Sequence, residues 1–167
     1  MSKIVCGFLI SFVDSNDINC LMLRRSSWVS HPCTWSIPIG HAEEFEIAEY
    51  ISSNNNPSVL LEVALRELKE ETNLSVEDIG NVYNGYLKLT NDSKDVYIFS
   101  SIVDFEGFNG INQKILLDSE NDDYSWFNLE NLDYCSLMID SFSKDFDLYF
   151  TLIYDHINSI DSMDELV

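Results

Sequence analysis

One ten-residue stretch limits what this chain can become more than any other. Leu65-Arg66-Glu67-Leu68-Lys69-Glu70-Glu71-Thr72-Asn73-Leu74 gathers three carboxylates and an arginine on a segment with helical apolar spacing. Leu61, Ala64, Leu65 and Leu68 recur at i, i+3, i+4 and i+7, which makes one apolar stripe. At about 100° per residue, Glu67, Glu70 and Glu71 fall on an arc beside that stripe, at the rim of a core. Like charges three and four positions apart on a helix repel by roughly 0.2–0.5 kcal/mol per pair, so such a helix works against itself unless a cation compensates. Mg²⁺ and Mn²⁺ take carboxylate and water oxygens and share their shell with substrate phosphates. The helix therefore points to metal-dependent phosphate chemistry. Taken alone, it also suits a solvated glutamate face with Arg66 paired to Glu70, and the residues upstream decide between the two.

Those residues are Trp35-Ser36-Ile37-Pro38-Ile39-Gly40-His41-Ala42-Glu43-Glu44-Phe45-Glu46, in which Gly40 is followed by five residues and then Glu46. With Arg66-Glu67-Leu68-Lys69-Glu70-Glu71-Thr72-Asn73-Leu74 they resemble the signature of the Nudix hydrolase family. That signature runs Gly, five residues, Glu, seven residues, Arg-Glu, an aliphatic residue, any residue, Glu-Glu, any residue, Gly, aliphatic. Three departures stand out: nineteen residues separate Glu46 from Arg66, Pro-Gly-Gly reads Pro38-Ile39-Gly40, and the last Gly is Asn73. Asn tolerates the left-handed conformation that ends a helix, so the third change is mild. Ile39 restricts a loop that the family keeps permissive.

The twelve additional residues need a home. Asn54-Asn55-Asn56-Pro57-Ser58 is a turn cluster in which Asn56 reads as N-cap and Pro57 as first helical position. The helix is expected over 57–72, with the insertion at 47–56 ahead of it as a short helix or loop. Surface insertions cost little closure entropy, about 0.6 kcal/mol per doubling of length, so the motif can be interrupted without being destroyed.

Elsewhere, 4–13 and 18–23 read as a hairpin around the turn Asp14-Ser15-Asn16-Asp17, with Arg24 and Arg25 at its end. A basic strand end before a Trp-x-x-Pro entry also resembles the family, which makes 26–33 a substrate-side loop and Arg24 and Arg25 anion-handling residues. Trp28 either stacks on a base or covers the core edge. Residues 82–89 and 96–103 read as antiparallel strands, 104–114 as a loop with two glycines, and 141–160 as a C-terminal helix in which His156 is a satisfied interface histidine. The acidic tail 161–167 is expected to fray. Neither His31 nor His41 has a second ligand at zinc spacing, and His41 is read as structural.

With 167 residues and 46% hydrophobic content, the chain suits one domain spanning 1–167. Nine Lys and Arg against twenty-nine Asp and Glu give a formal charge of −20, which repels long nucleic acid and disfavours an RNA-decapping role. Cys6, Cys20, Cys33 and Cys135 lack disulfide or metal spacing and read as reduced thiols. No apolar run of membrane-spanning length and no signal peptide is present, so a cytoplasmic protein is expected.

The resemblance implies an α/β/α sandwich around a mixed β-sheet, an α/β fold. It also implies hydrolysis of a pyrophosphate linkage in a nucleoside diphosphate joined to another moiety, and the family often forms homodimers. Mg²⁺ or Mn²⁺ would be held by Glu67 and Glu71, with Glu70 completing the shell or acting as base. Gly40 would let the loop backbone approach the metal, and Arg66 would hold Glu46 or Glu70 in register. Many relatives carry an acid six positions before a Trp; Glu120 stands six before Trp126 and would assist, with Asp122 or Asp123 as alternatives, while Asp118, Glu120, Asp122 and Asp123 also suit a plain solvated loop. The alternative is a catalytically weak or inactive Nudix-like nucleotide-binding module.

Overall fold

The computed structural model describes residues 3–90, 93–131 and 146–165. Its centre is a parallel strand pair. The first apolar run forms β1 (Lys3–Asp14), and β2 (Asp17–Arg25) returns beside it through a turn in which Ser15 takes φ 56°. β3 (Trp35–Ser36) pairs with β2, and β4 (Ile39–His41) pairs with the first half of β1, Gly40 lying opposite Cys6. After the helices come β5 (Asn81–Val82), β6 (Leu87–Thr90) and β7 (Lys94–Val103), and β7 runs parallel to β1 from Lys3 opposite Lys94 to Phe12 opposite Val103. β8 (Asn121–Asn128) completes an eight-stranded mixed sheet along the outer side of β2. The middles of β1 and β7 are buried on both faces, which is why they read as continuous apolar sequence rather than alternation.

Helices cover both faces. α1 (Glu44–Ser52), α2 (Pro57–Thr72) and α3 (Phe105–Lys114) precede β8, and α4 (Phe146–Glu165) follows it. One core joins Ile4, Cys6, Phe8 and Ile10 of β1 to Leu60, Val63, Ala64 and Leu68 of α2 and Ile111 of α3. The other joins Val5 and Leu9 to Tyr149, Leu152 and Ile153 of α4. Alternate side chains of one strand thus feed two hydrophobic layers, the α/β/α sandwich expected from the sequence.

Local chemistry sets the ends of α2. The Asn56 side chain accepts from Ser58 N at 3.1 Å and Pro57 opens the helix, while Asn73 ends it at φ 66°. Its buried stripe, however, is Leu60, Val63, Ala64 and Leu68, and Leu61 and Leu65 are only partly buried. Glu67 and Glu71 therefore continue the stripe instead of flanking it. The insertion is α1 plus the turn at Asn54 and Asn55, both left-handed at φ 65° and 60°.

Three expectations are corrected. Residues 104–114 are not a loop, because Asp104 caps α3 by accepting from Gly107 N at 2.8 Å and Phe108 stacks on Phe12 at 4.5 Å. Those contacts, with Ile111 buried in the core, outweigh a glycine penalty of about 1 kcal/mol each. The strand expected over 82–89 splits into β5 and β6, since their registers on β7 differ by two residues and the four residues 83–86 lie opposite only Phe99 and Ser100. His156 is buried against Tyr83, but its Nδ1 has no hydrogen-bond partner. Helical backbone in α4 continues to Glu165, into the stretch expected to fray. Phe142 and Cys135 lie outside the described residues.

Candidate active site

The last two turns of α2 face the loop that leads into β4, and one guanidinium organises the space between them. Arg66 donates from Nε to Glu46 Oε1 at 2.7 Å and from Nη2 to Glu46 Oε2 at 2.9 Å, a two-pronged pair. Its Nη1 reaches Glu67 at 2.9 Å and Glu70 at 3.2 Å, and Nη2 also donates to the His41 carbonyl at 3.2 Å. The clamp crosses the insertion, since Glu46 sits in α1, where its Oε2 also accepts from Glu43 N at 2.8 Å. The Arg66 hydrogen bonds hold the Glu46 carboxyl below the usual carboxylate range.

Glu71 sits deeper. It is 7% exposed, and burial, reinforced by Glu67, Asp118 and Glu120, pushes its carboxyl up to about 9. Burial likewise raises Glu67, with Arg66 opposing. The Ile39 amide donates to Glu71 Oε2 at 3.3 Å. Ile39 itself takes an ordinary strand conformation opposite Gly7, where an added Cβ would come within 3.2 Å of the Ile39 side chain. The glycine missing from the Pro38-Ile39-Gly40 corner is offset by one on the neighbouring strand. Gly40 has no such freedom, because a Cβ there would land inside the Glu67 carboxylate.

The remaining expected residues divide. Glu70 is on the rim, its side chain 56% exposed. Glu120 is exposed, and its backbone carbonyl accepts from Ser26 N at 2.8 Å, which ties the acidic segment to the 26–34 loop. Arg24 is engaged by Asp122 at 2.7 Å and lies 5.8 Å over the Trp35 ring. Arg25 donates to the Ser30 carbonyl at 2.6 Å and so braces that loop. Trp28, at its tip, is 68% exposed and covers no core edge. His31 and Cys33 both take left-handed φ values, 53° and 60°, which non-glycine residues adopt at a cost.

Asp118 was missed by motif reading. It precedes Glu120 among the charges acting on Glu71, and its amide donates to the Glu71 carbonyl at 3.3 Å while Leu116 N caps Thr72 at 3.0 Å. The acidic loop thereby satisfies the last carbonyls of α2. Only this docking reveals which acid of the run 118–123 comes near.

A NUDIX domain profile matches residues 7–147. The chain belongs to the Nudix family. Solved structures agree on the fold. A C. elegans Ap4A hydrolase binary complex is 18% identical with TM-score 0.61, covering 92% of this chain and 98% of that one. The MutT protein from Methanosarcina mazei Go1 is 20% identical with TM-score 0.58, covering 90% and 94%. The NUDIX domain of Shewanella oneidensis NrtR complexed with ADP ribose is 12% identical with TM-score 0.54, covering 100% and 90%. Among curated protein sequences there is no significant match. As a Nudix member the chain is a Nudix-type pyrophosphohydrolase. Among the described residues no helix is long and apolar enough to cross a membrane.

Nudix enzymes generally use divalent metal ions, and this donor set suits one. Glu67 and Glu71, with Asp118 and Glu120 nearby, are hard oxygen donors; burial first and this crowding second raise the Glu71 pKa, and Arg66 offsets the charge of Glu67. Among the described residues no three acids, histidines or cysteines form a ready-made cage; Arg66 ties up Glu67 and Glu70. The crowding of carboxylates marks the site. Gly40→Ala tests the arrangement. The added methyl displaces the flexible end of Glu67 and leaves the backbone in place. Melting temperature should hardly change while Mn²⁺ affinity, measured by electron paramagnetic resonance titration, falls on the order of tenfold to a hundredfold.

Proposed function

We propose that the chain hydrolyses a pyrophosphate linkage in a nucleoside diphosphate joined to another moiety, with Mg²⁺ or Mn²⁺ held by Glu67 and Glu71. The observation that carries this reading is Glu71, a buried carboxyl pushed up to about 9 by burial and by its acidic neighbours. Such a group is costly to bury and is stabilised once a cation arrives. The cation, when bound, neutralises diphosphate charge and acidifies water. Water oxygen attacks one phosphorus, and the bridging P–O bond breaks.

The chain's own residues do the rest. Glu70, exposed beside Glu67, completes the shell or accepts the attacking water's proton at a carboxylate oxygen, and Glu120 assists from its loop. Arg66 positions Glu67 and Glu70 relative to the β4 loop, and Glu46 keeps Arg66 in place. Gly40 leaves the space that the Glu67 carboxylate fills. Trp28 offers an exposed ring for a nucleobase on a loop braced by Arg25, with Arg24 at the loop's root.

Small nucleotides are the proposed substrates. The C. elegans relative is an Ap4A hydrolase and the NrtR domain was crystallised with ADP ribose, two compounds that share a diphosphate. A net charge of −20 opposes long nucleic acid. Reduced Cys6 and Cys20, both buried, suit a cytoplasmic setting. The test is a panel of ADP-ribose, dinucleoside polyphosphates, sugar nucleotides and nucleoside triphosphates, each with Mg²⁺, Mn²⁺ or EDTA. Mononucleotide release with metal alone is expected. No turnover on any member with either metal would leave a nucleotide-binding module.

A further inference from the structure

The bulge between β5 and β6 does more than interrupt a strand. It stands over a cavity of about 720 Å³ bounded on the other side by α4, within the size range of small-molecule sites. Asn81, Tyr83 and Asn84 form one wall, and His156 and Ser159 form the other. Tyr83 and His156 stack, ring centroids 5.1 Å apart and planes 21° from parallel. His156 is 2% exposed, and its Nδ1 has no hydrogen-bond partner. Buried polar atoms are nearly always paired, and one left over in a cavity wall calls for an explanation.

The lining is also chemically selective. None of its residues is Asp, Glu, Lys or Arg, although the whole chain carries a formal charge of −20. An anion would meet no cation there and would be repelled by the protein's field. What the wall does offer is a flat aromatic surface, two side-chain amides and a hydroxyl. Amides of this kind bond in pairs to the edges of planar heterocycles, as Asn does to adenine. The half-buried Tyr83 ring, held in place by its stack on His156, supplies the flat face. Gly85 is part of the design, since a Cβ there would meet the Tyr83 ring at 2.6 Å and push it out of the stack.

We propose that this cavity is a second ligand site, separate from the carboxylate cluster, that takes an uncharged planar heterocycle of nucleobase or nucleoside type. It uses none of the metal-binding or loop residues of the pyrophosphate site, so it stands independently of the reaction proposed above.

The test is calorimetric titration of the full chain with adenosine, guanosine, cytidine and uridine in EDTA. Without phosphate or metal, the carboxylate site has little to hold. Saturable binding of at least one nucleoside with one-to-one stoichiometry is expected. Asn84→Ala, at the exposed bulge, should weaken it by about five- to tenfold, the worth of one to two hydrogen bonds. His156→Phe keeps an aromatic ring at the stack but removes the nitrogens, and should weaken it similarly. Trp28→Ala should leave it unchanged. Binding that survives Asn84→Ala but disappears in Trp28→Ala would assign the nucleoside to the 26–34 loop and overturn the proposal, as would absence of saturable binding for all four. Should His156→Phe fold poorly, Asn84→Ala and Trp28→Ala alone decide.

Discussion

Glu71→Gln is expected to lower kcat/KM for metal-dependent hydrolysis by about 10³-fold while leaving the metal-free protein at least as stable as the original. The two halves of that result share one cause. A cation in this site supplies several kcal/mol of charge stabilisation in phosphoryl chemistry, and about 4 kcal/mol corresponds to three orders of magnitude. Gln keeps the shape and the carbonyl oxygen but not the charge that holds the cation. Without metal the comparison reverses, because the Glu71 carboxyl is pushed up to about 9 and is already uncharged at neutral pH. Gln imitates that protonated acid.

The pH dependence follows. Below the ordinary value of 4.5 the folded and unfolded chains both hold the Glu71 proton. Between 4.5 and about 9 the folded chain keeps it and the unfolded chain has released it, so stability falls as pH rises through that window. Gln has no proton to lose. Melting curves in EDTA should therefore coincide near the acid end of the window and separate toward alkaline pH, the variant melting higher. Calorimetry adds a third reading: Mg²⁺ binding near neutral pH should release about one proton from the native chain, and that release should vanish in the variant. Unchanged hydrolysis in Glu71→Gln would remove Glu71 from the metal site whatever the melting curves do.

What could be read in advance was what local chemistry decides. The cap at Asn56-Pro57, the left-handed stop at Asn73 and the helix between them depend on neighbours within a turn, and all three stand as expected. Motif spacing brought Glu46, Arg66, Glu67 and Glu70 to one place because the resemblance already encodes their fold. α3 escaped because Gly107 and Gly110 argue against a helix locally, and the contacts that outweigh them, Phe12 to Phe108 and Trp126 Nε1 to Asn112 at 2.8 Å, come from distant strands. Asp118 escaped for a similar reason: four acids within six residues, Asp118, Glu120, Asp122 and Asp123, are indistinguishable until Leu116 and Asp118 dock on the end of α2. Arg24 and Arg25 were placed near the site by position alone. A register shift between them on β8 brings Arg24 to Asp122, a matter of strand pairing that no side-chain pattern announces.

Removing the guanidinium tests why the interrupted motif still assembles. Arg66→Met is expected to destabilise the metal-free chain by about 3 kcal/mol, a fall in Tm of roughly 6–12 °C for a domain of this size. The network is enclosed, with Arg66, Glu46 and Glu67 side chains 24, 10 and 13% exposed, so solvent screens it weakly. Deleting one partner leaves Glu46 and Glu67 without a cation, and it severs the tie between α1 and α2 that makes the insertion harmless. The loss should depend on pH with a definite sign. Arg66 holds the Glu46 carboxyl below its ordinary 4.5, so this contribution is present above 4.5 and disappears as pH falls through the lowered value. The gap between wild type and variant should therefore be wide at pH 7 and narrow in acid. Mg²⁺ should restore part of the lost Tm, because it can replace the guanidinium beside Glu67 but cannot reproduce the two-pronged pair with Glu46. Arg66→Lys should fall between the two, a single ammonium being unable to span Glu46, Glu67 and the His41 carbonyl together. A Met variant melting within about 2 °C of wild type at neutral pH in EDTA would mean that the two halves of the motif are held together by packing alone.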